Sequence, residues 1–275
     1  MKAIRVAAYG GLDAMTLAKL DDPVPGDDEV LIDVAAAAVN PIDWKIVSGA
    51  MKAFIPLPLP FTPGVDAAGT VLAVGRNVST LAPGDEVMGF IGIVGAYANR
   101  IVVDPARLAR KPARLSFTDA AATPAATLTA WQALHEHGEL RKGQSVLIHA
   151  AAGGVGSAAV QLAKLAGAHV IGTASPGNRE YVQSLGAAEV IDYHATDFAK
   201  QVSDVDLVLD LVGGTTRYAI AQAGATDINL FTGDIRLEGD KLAISHTEPT
   251  IASGFGTTPT IPTANGTFSF TVNVG

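Results

Sequence analysis

Cysteine is absent from the 275 residues of this chain. That absence excludes disulfides, a thiolate nucleophile and every cysteine-bearing zinc site. A basic block is absent too: 19 Lys and Arg stand against 27 Asp and Glu, giving a net charge of −8, with the acids spread along the chain. Neither nucleic acid nor an anionic membrane surface is therefore an expected partner. No apolar run approaches the roughly 20 residues that a membrane-spanning helix needs. The opening Met1-Lys-Ala-Ile-Arg-Val6 reads as a charged strand without the apolar core or cleavage site of a secretory signal, so the cytoplasm is the expected address. Charge is scarce, at 17% against 48% apolar residues, which favours well-buried cores over disorder.

What the chain does have is the stretch Gln144-Ser-Val-Leu-Ile-His-Ala-Ala-Ala-Gly-Gly-Val-Gly156, followed by an amphipathic run to Lys164. Val146 to Ala150 reads as a buried strand, and Ala158, Val160, Leu162, Ala163 and Leu165 give the following segment an apolar helical face. A strand running into a glycine-rich turn that opens a helix presents free N–H groups and a positive helix end to a pyrophosphate. The G-x-G-x-x-G fingerprint stands here as Ala151-x-Gly153-x-x-Gly156, with alanine in the first slot. Ala151, Gly153, Gly154, Val155 and Gly156 are accordingly the expected dinucleotide cradle. The alternative is a glycine turn that merely packs a strand against a helix.

Residues 1–118 are expected to form a β domain, with strands at Ala3–Ala8, Glu29–Ala36, Gly69–Val74, Glu86–Phe90 and Ala98–Val103 between Pro/Gly/Asp clusters. Residues 119–217 are expected to form the dinucleotide-binding domain. It would begin with alanine-rich helices over Asp119–His137, interrupted near Pro124, and continue with strands at Ser145–Ala150, His169–Ala174, Glu189–Tyr193 and Val205–Val212. A helix over Arg179–Leu185, capped at Gly186, completes a βαβαβ unit. Residues 218–275 turn rich in Thr, Gly, Ala and Asn and read as short strands and turns; Asp227–Thr232 is the candidate for a fifth strand.

The end of the second strand bears on cofactor choice. Sites for NAD place an acid there to bind the ribose hydroxyls, and that charge would repel a 2′-phosphate. This chain reads Gly172-Thr-Ala-Ser-Pro-Gly-Asn-Arg179, with no acid in place. Ser175, Asn178 and Arg179 can instead donate to a phosphate, so NADPH is expected rather than NADH. The competing view of Arg179 is a solvated first-turn residue.

Six segments in order now carry a family likeness: Val39-Asn-Pro-Ile-Asp-Trp-Lys45 with Ser48-Gly49, Pro63-Gly-Val-Asp-Ala-Ala-Gly-Thr-Val-Leu-Ala-Val-Gly75, Pro83-Gly-Asp-Glu-Val87, Leu128-Thr-Ala-Trp-Gln-Ala-Leu134, the glycine turn, and Leu185-Gly-Ala-Ala-Glu-Val-Ile-Asp-Tyr193. Over residues 1–217 the chain resembles the medium-chain dehydrogenase/reductase superfamily, in its zinc-free quinone oxidoreductase branch. The resemblance implies an α/β fold in which a GroES-like β-rich domain precedes a Rossmann-like parallel sheet, here incomplete and ending in an atypical β-rich segment. It implies hydride transfer from NADPH to a quinone or an α,β-unsaturated carbonyl, and a homodimer. Asn40 and Asp43 would line the substrate side of the nicotinamide pocket, Thr129 would bond near the nicotinamide, Trp44 or Phe54 would form an apolar wall, and Tyr193 would lie near the adenosine phosphate. Zinc-dependent relatives carry cysteine at the place of Asn40 and Gly-His-Glu at the place of Gly64-Val65-Asp66, so no zinc is expected. Many relatives carry arginine at the place of Val47. The atypical end keeps a second reading open, a dinucleotide-binding but catalytically silent sensor or interaction protein, and a third in which residues 218–275 serve assembly.

Overall fold

The computed structural model describes residues 1–195 and 198–212, except for the Ala199 side chain, together with the backbone of five later strands. It divides into two units, Met1–Ala125 and the chain from Ala126 on.

Unit 1 opens with a pair of antiparallel strands, β1 (Lys2–Val6) and β2 (Met15–Lys19). Its main sheet contains β3 (Val30–Ala37), β4 (Asp66–Val74), β5 (Glu86–Phe90), β6 (Arg100–Val103) and β7 (Ala109–Arg110), in the order β6-β3-β4-β5-β7 and antiparallel throughout. Val30, Ile32, Val71, Val87, Ile101 and Val103 are all buried in one cluster, as inward-facing residues of alternating strands should be. This is the GroES-like β-rich domain that the sequence leads one to expect. Between β3 and β4 lies helix α1 (Pro41–Ser48). Helix α2 (Phe117–Ala122) is N-capped by the Ser116 hydroxyl, which accepts the Asp119 N–H at 3.1 Å. The buried Ala120 and Ala121 of α2 pack with Ala68 of β4, and that packing carries unit 1 beyond residue 118.

Unit 2 takes in most of α3 (Pro124–Trp131), which runs on into a π-helical turn over Gln132–His137. Then come β8 (Ser145–Ile148), α4 (Gly154–Leu165), β9 (His169–Ala174), α5 (Arg179–Leu185), β10 (Glu189–Asp192) and β11 (Leu207–Asp210). The order β10-β9-β8-β11 is parallel throughout and is that of a Rossmann sheet, in which the strand sequence reverses between β8 and β11. Each strand buries both faces, as a parallel sheet between helices must. Val146 and Ile148 join the cluster beneath α4 with Val160 and Ala163, while Leu147 joins Ile171, Ile191 and Val208 on the opposite face.

In the last part of the chain, β12 (Thr226–Asn229) extends the sheet in parallel beside β11, close to the expected fifth strand. Beyond it the sheet continues with β14 (Lys241–Ser245) and then β13 (Asp234–Glu238), which is antiparallel to β14. Strands β15 (Thr260–Thr263) and β16 (Gly266–Ser269) form a separate antiparallel pair. The remaining residues of the 218–275 segment lie outside those described. Among the described residues no helix is long and apolar enough to cross a membrane.

Candidate functional site

In unit 2 the candidate site is built from backbone. Strand β8 ends at Ile148, and the chain bends at Ala150, whose φ of 49° is left-handed, before α4 starts. The Ala151 N–H returns to the Thr173 carbonyl at 3.0 Å and the Gly153 N–H to the Ala150 carbonyl at 2.9 Å, which fixes the bend. Ser157 is the residue whose N–H bonds back to Gly153, at 2.8 Å, so the amides of Gly154, Val155 and Gly156 have no acceptor within the helix. Among the described residues no side chain caps them. Three unclaimed N–H groups at the positive end of a helix, at the carboxyl edge of the sheet where the strand order reverses, suit a diphosphate.

The space there requires glycine. A Cβ on Gly156 would sit 2.2 Å from the Ala150 carbonyl oxygen, so helix and bend could not approach as closely. Ala151, in the first slot of the fingerprint, is fully buried, and the left-handed residue of the bend is its neighbour Ala150. The residues expected at the cofactor's phosphate-bearing end also gather at the carboxyl ends of β9 and β10. The Asn178 amide donates to the Ser175 hydroxyl at 3.1 Å, and Arg179 is exposed at the first position of α5, where no ion pair engages it among the described residues. Tyr193 follows β10, half exposed, its ring 4.2 Å from that of His194.

One histidine of this unit acquires a defined environment. His149, Thr173 and Asp210 stand at the ends of β8, β9 and β11 on one face of the sheet, all three buried. His149 Nδ1 meets the Thr173 hydroxyl at 3.0 Å, and its ring lies edge-on to Phe198 at 4.5 Å. Burial lowers its pKa to about 4, against the opposing pull of Asp210, so the ring is neutral at physiological pH. It is a core histidine beside the dinucleotide turn. Thr129, also buried, lies on α3.

In unit 1 the candidate site is built from side chains. Asn40 caps α1, Pro41 occupies the first helical position, and the Asp43 carboxylate reaches back to accept the Asn40 N–H at 2.7 Å. No helix is among the elements expected for residues 1–118, yet the Asn-Pro-x-Asp spacing is the helix-start signal that marks α1. Asp43 Oδ2 also accepts from the Tyr97 hydroxyl at 2.8 Å. The Asn40 side-chain amide donates to Asp66 Oδ2 at 3.1 Å, and the Ala125 N–H donates to the same carboxylate at 3.1 and 3.2 Å.

Asp66 and Tyr97 escaped the sequence reading. Asp66 is completely buried at the start of β4, and burial raises its pKa to about 6, with the nearby Asp43 adding to the rise and its hydrogen bonds opposing it. Burial likewise raises Asp43, despite the bonds from Asn40 and Tyr97, and burial raises Tyr97. Gly64 (φ 98°) accommodates the Tyr97 ring, since a Cβ there would lie 2.4 Å from a ring carbon. Val47 is buried in α1, whereas Trp44 is 57% exposed.

This donor set does not fit a zinc ion. Val65 offers no ligand atom, the Asn40 amide is engaged by Asp66, and the described residues contain no group of three or more His, Cys, Asp or Glu able to hold a metal.

Two known families match successive parts of the chain. The family described as "Alcohol dehydrogenase GroES-like domain" matches residues 26–113, and that described as "Zinc-binding dehydrogenase" matches residues 154–225. A chloroplastic quinone-oxidoreductase homolog of Spinacia oleracea is 38% identical over 211 residues, covering 74% of this chain and 64% of the relative. The 2-methylene-furan-3-one reductase of Solanum lycopersicum is 37% identical over 257 residues, covering 89% of this chain and 66% of the relative. The chain thus spans slightly less than two thirds of the length of either curated relative. Among solved structures, the quinone oxidoreductase of Escherichia coli complexed with NADPH superposes with a TM-score of 0.72 at 31% identity, over 81% of this chain and 69% of that one.

Proposed function

The chain belongs to the medium-chain dehydrogenase/reductase superfamily, in its quinone oxidoreductase-like family, and from that premise we propose that it transfers hydride from NADPH to a quinone or an α,β-unsaturated carbonyl without zinc. The observation that carries this reading is the set of unclaimed amides of Gly154, Val155 and Gly156 at the carboxyl edge of β8. They would hold the diphosphate, Ser175, Asn178 and Arg179 the 2′-phosphate, and Tyr193 the adenosine end, with Ala151 and Gly153 shaping the bend. Reduced nicotinamide, when bound, supplies the hydride.

The chain's own part is orientation and electrostatics. Thr129 would bond near the nicotinamide. Asn40 would donate an N–H to the acceptor oxygen, on which negative charge grows as the enolate or hydroquinone anion forms, and Asp43 would hold Asn40 in place through its backbone N–H. A neutral amide does this without a metal. The relatives' names support both acceptor classes, since a 2-methylene-furan-3-one is itself an α,β-unsaturated carbonyl. A homodimer and a cytoplasmic location belong to the same reading, although the spinach relative is named as chloroplastic. Sedimentation and cell fractionation check those two points.

The direct test is to titrate the purified chain with NADPH and NADH by fluorescence, then add a simple quinone or enone and follow NADPH oxidation. The expected result is tighter binding of NADPH and turnover with at least one acceptor class. NADPH binding with no turnover would reject the enzyme in favour of a silent dinucleotide-binding protein.

A further inference from the structure

The Asn40 side chain presents a chemical ambiguity that its surroundings resolve. A primary amide has nearly the same shape in either of its two flipped orientations, and only its hydrogen-bond partners decide which end is the donor. Here the partner is Asp66, fully buried and, when ionised, an acceptor only. An ionised Asp66 must therefore face Nδ2 and not Oδ1. Its other contact, the Ala125 N–H, is also a donor, so the carboxylate is used as an acceptor on both sides. One N–H of Asn40 is spent on Asp66, Oδ1 faces the Asp43 N–H in the capping box of α1, and the second N–H is left in one fixed arrangement on a partly buried residue.

We propose that Asp66 is the positioning residue of this site: its buried carboxylate selects one orientation of the Asn40 amide, and so decides where the free N–H is offered to the acceptor oxygen. The proposal rests on the reductase reading above for its catalytic consequence, but its structural content does not. Protonated Asp66 gains an O–H that can donate to Oδ1, so Asp66 no longer opposes the flipped amide, in which the donor is displaced by the width of the amide group and only the capping contact with the Asp43 N–H still favours the original orientation. A displaced donor no longer meets the oxygen on which charge develops. Burial holds the titration of Asp66 at about 6, and the titratable groups facing it are Asp43 and Tyr97, both of which also interact with it through their charge or potential charge.

The test pairs Asp66→Asn with selective ¹⁵N labelling of asparagine in the full chain. Wild type is expected to show an Asn40 Nδ2 proton signal that moves with a midpoint near 6 as pH is taken from about 4 to about 8, and Asp66→Asn is expected to abolish that movement. A signal indifferent to pH, or a titration that persists unchanged in Asp66→Asn and hence belongs to Asp43, overturns the proposal. In turnover, Asp66→Asn is expected to lower kcat about tenfold, to flatten the acid limb of the pH profile, and to leave NADPH binding within about twofold of wild type. A kcat and pH profile like those of wild type also overturn it. If wild type turns over no quinone or enone, the reductase reading fails, while the amide titration still decides whether Asp66 orients Asn40.

Discussion

The two candidate sites are made by opposite means. In unit 2 the candidate ligand-facing groups are main-chain amides of consecutive residues, left without a partner among the described residues because a helix begins there. In unit 1 the candidate is the side chain of Asn40, held by a buried network of Asp43, Asp66 and Tyr97 that a helix start, a strand start and a loop draw together. A backbone site tolerates varied side chains but few added atoms. A side-chain site tolerates little change of chemistry, because each buried polar atom depends on its partner.

The comparison is broken most forcefully at Gly156. Gly156→Ala is expected to destabilise the chain by about 1–3 kcal/mol and to weaken NADPH binding tenfold or more, because the Ala150 carbonyl cannot withdraw without opening the bend. Urea unfolding and fluorescence titration read the two effects. The matching change in unit 1 is Tyr97→Phe, which deletes the hydroxyl that donates to buried Asp43. A loss of about 1–2 kcal/mol is expected, with NADPH affinity unchanged, since the amides of the glycine turn are untouched. Equal losses of cofactor affinity in both variants would erase the distinction between the sites.

Smaller changes sharpen it. Arg179→Ala should weaken NADPH binding about fivefold and leave NADH binding unaltered, an effect kept modest by the exposure of the guanidinium. Ala150→Gly should raise stability by about 0.5–1 kcal/mol in thermal or urea unfolding, as relief from the left-handed φ outweighs the greater freedom of glycine in the unfolded chain.

The contrast also explains what was legible in the sequence. The glycine turn, the helix over Arg179–Leu185 with its Gly186 cap, and the strands β8 to β11 all rest on local spacing, and a single window of sequence contains everything needed to infer them. Helix α1 is equally local, but its Asn-Pro-x-Asp start was not used as a helix signal, so the Asp43 capping bond went unseen. The partnership of Asn40 with Asp66 was beyond reach for a different reason. It joins residues 26 positions apart through the tertiary fold, and no periodicity marks Asp66 as a polar residue with no exposure at all. The extent of unit 1 depended in the same way on contacts between Ala120, Ala121 and Ala68, small residues that carry almost no pattern.

The bend at Ala150 has one further consequence. A methyl group at a left-handed position, followed by a second on a fully buried residue, leaves the loop few alternative shapes to explore. A glycine there would wander and would have to be immobilised by each arriving nucleotide. With alanine the freezing of that corner is complete before any guest appears, and the cost is carried as standing tension in the native state, so affinity is gained through rigidity instead of through an extra contact.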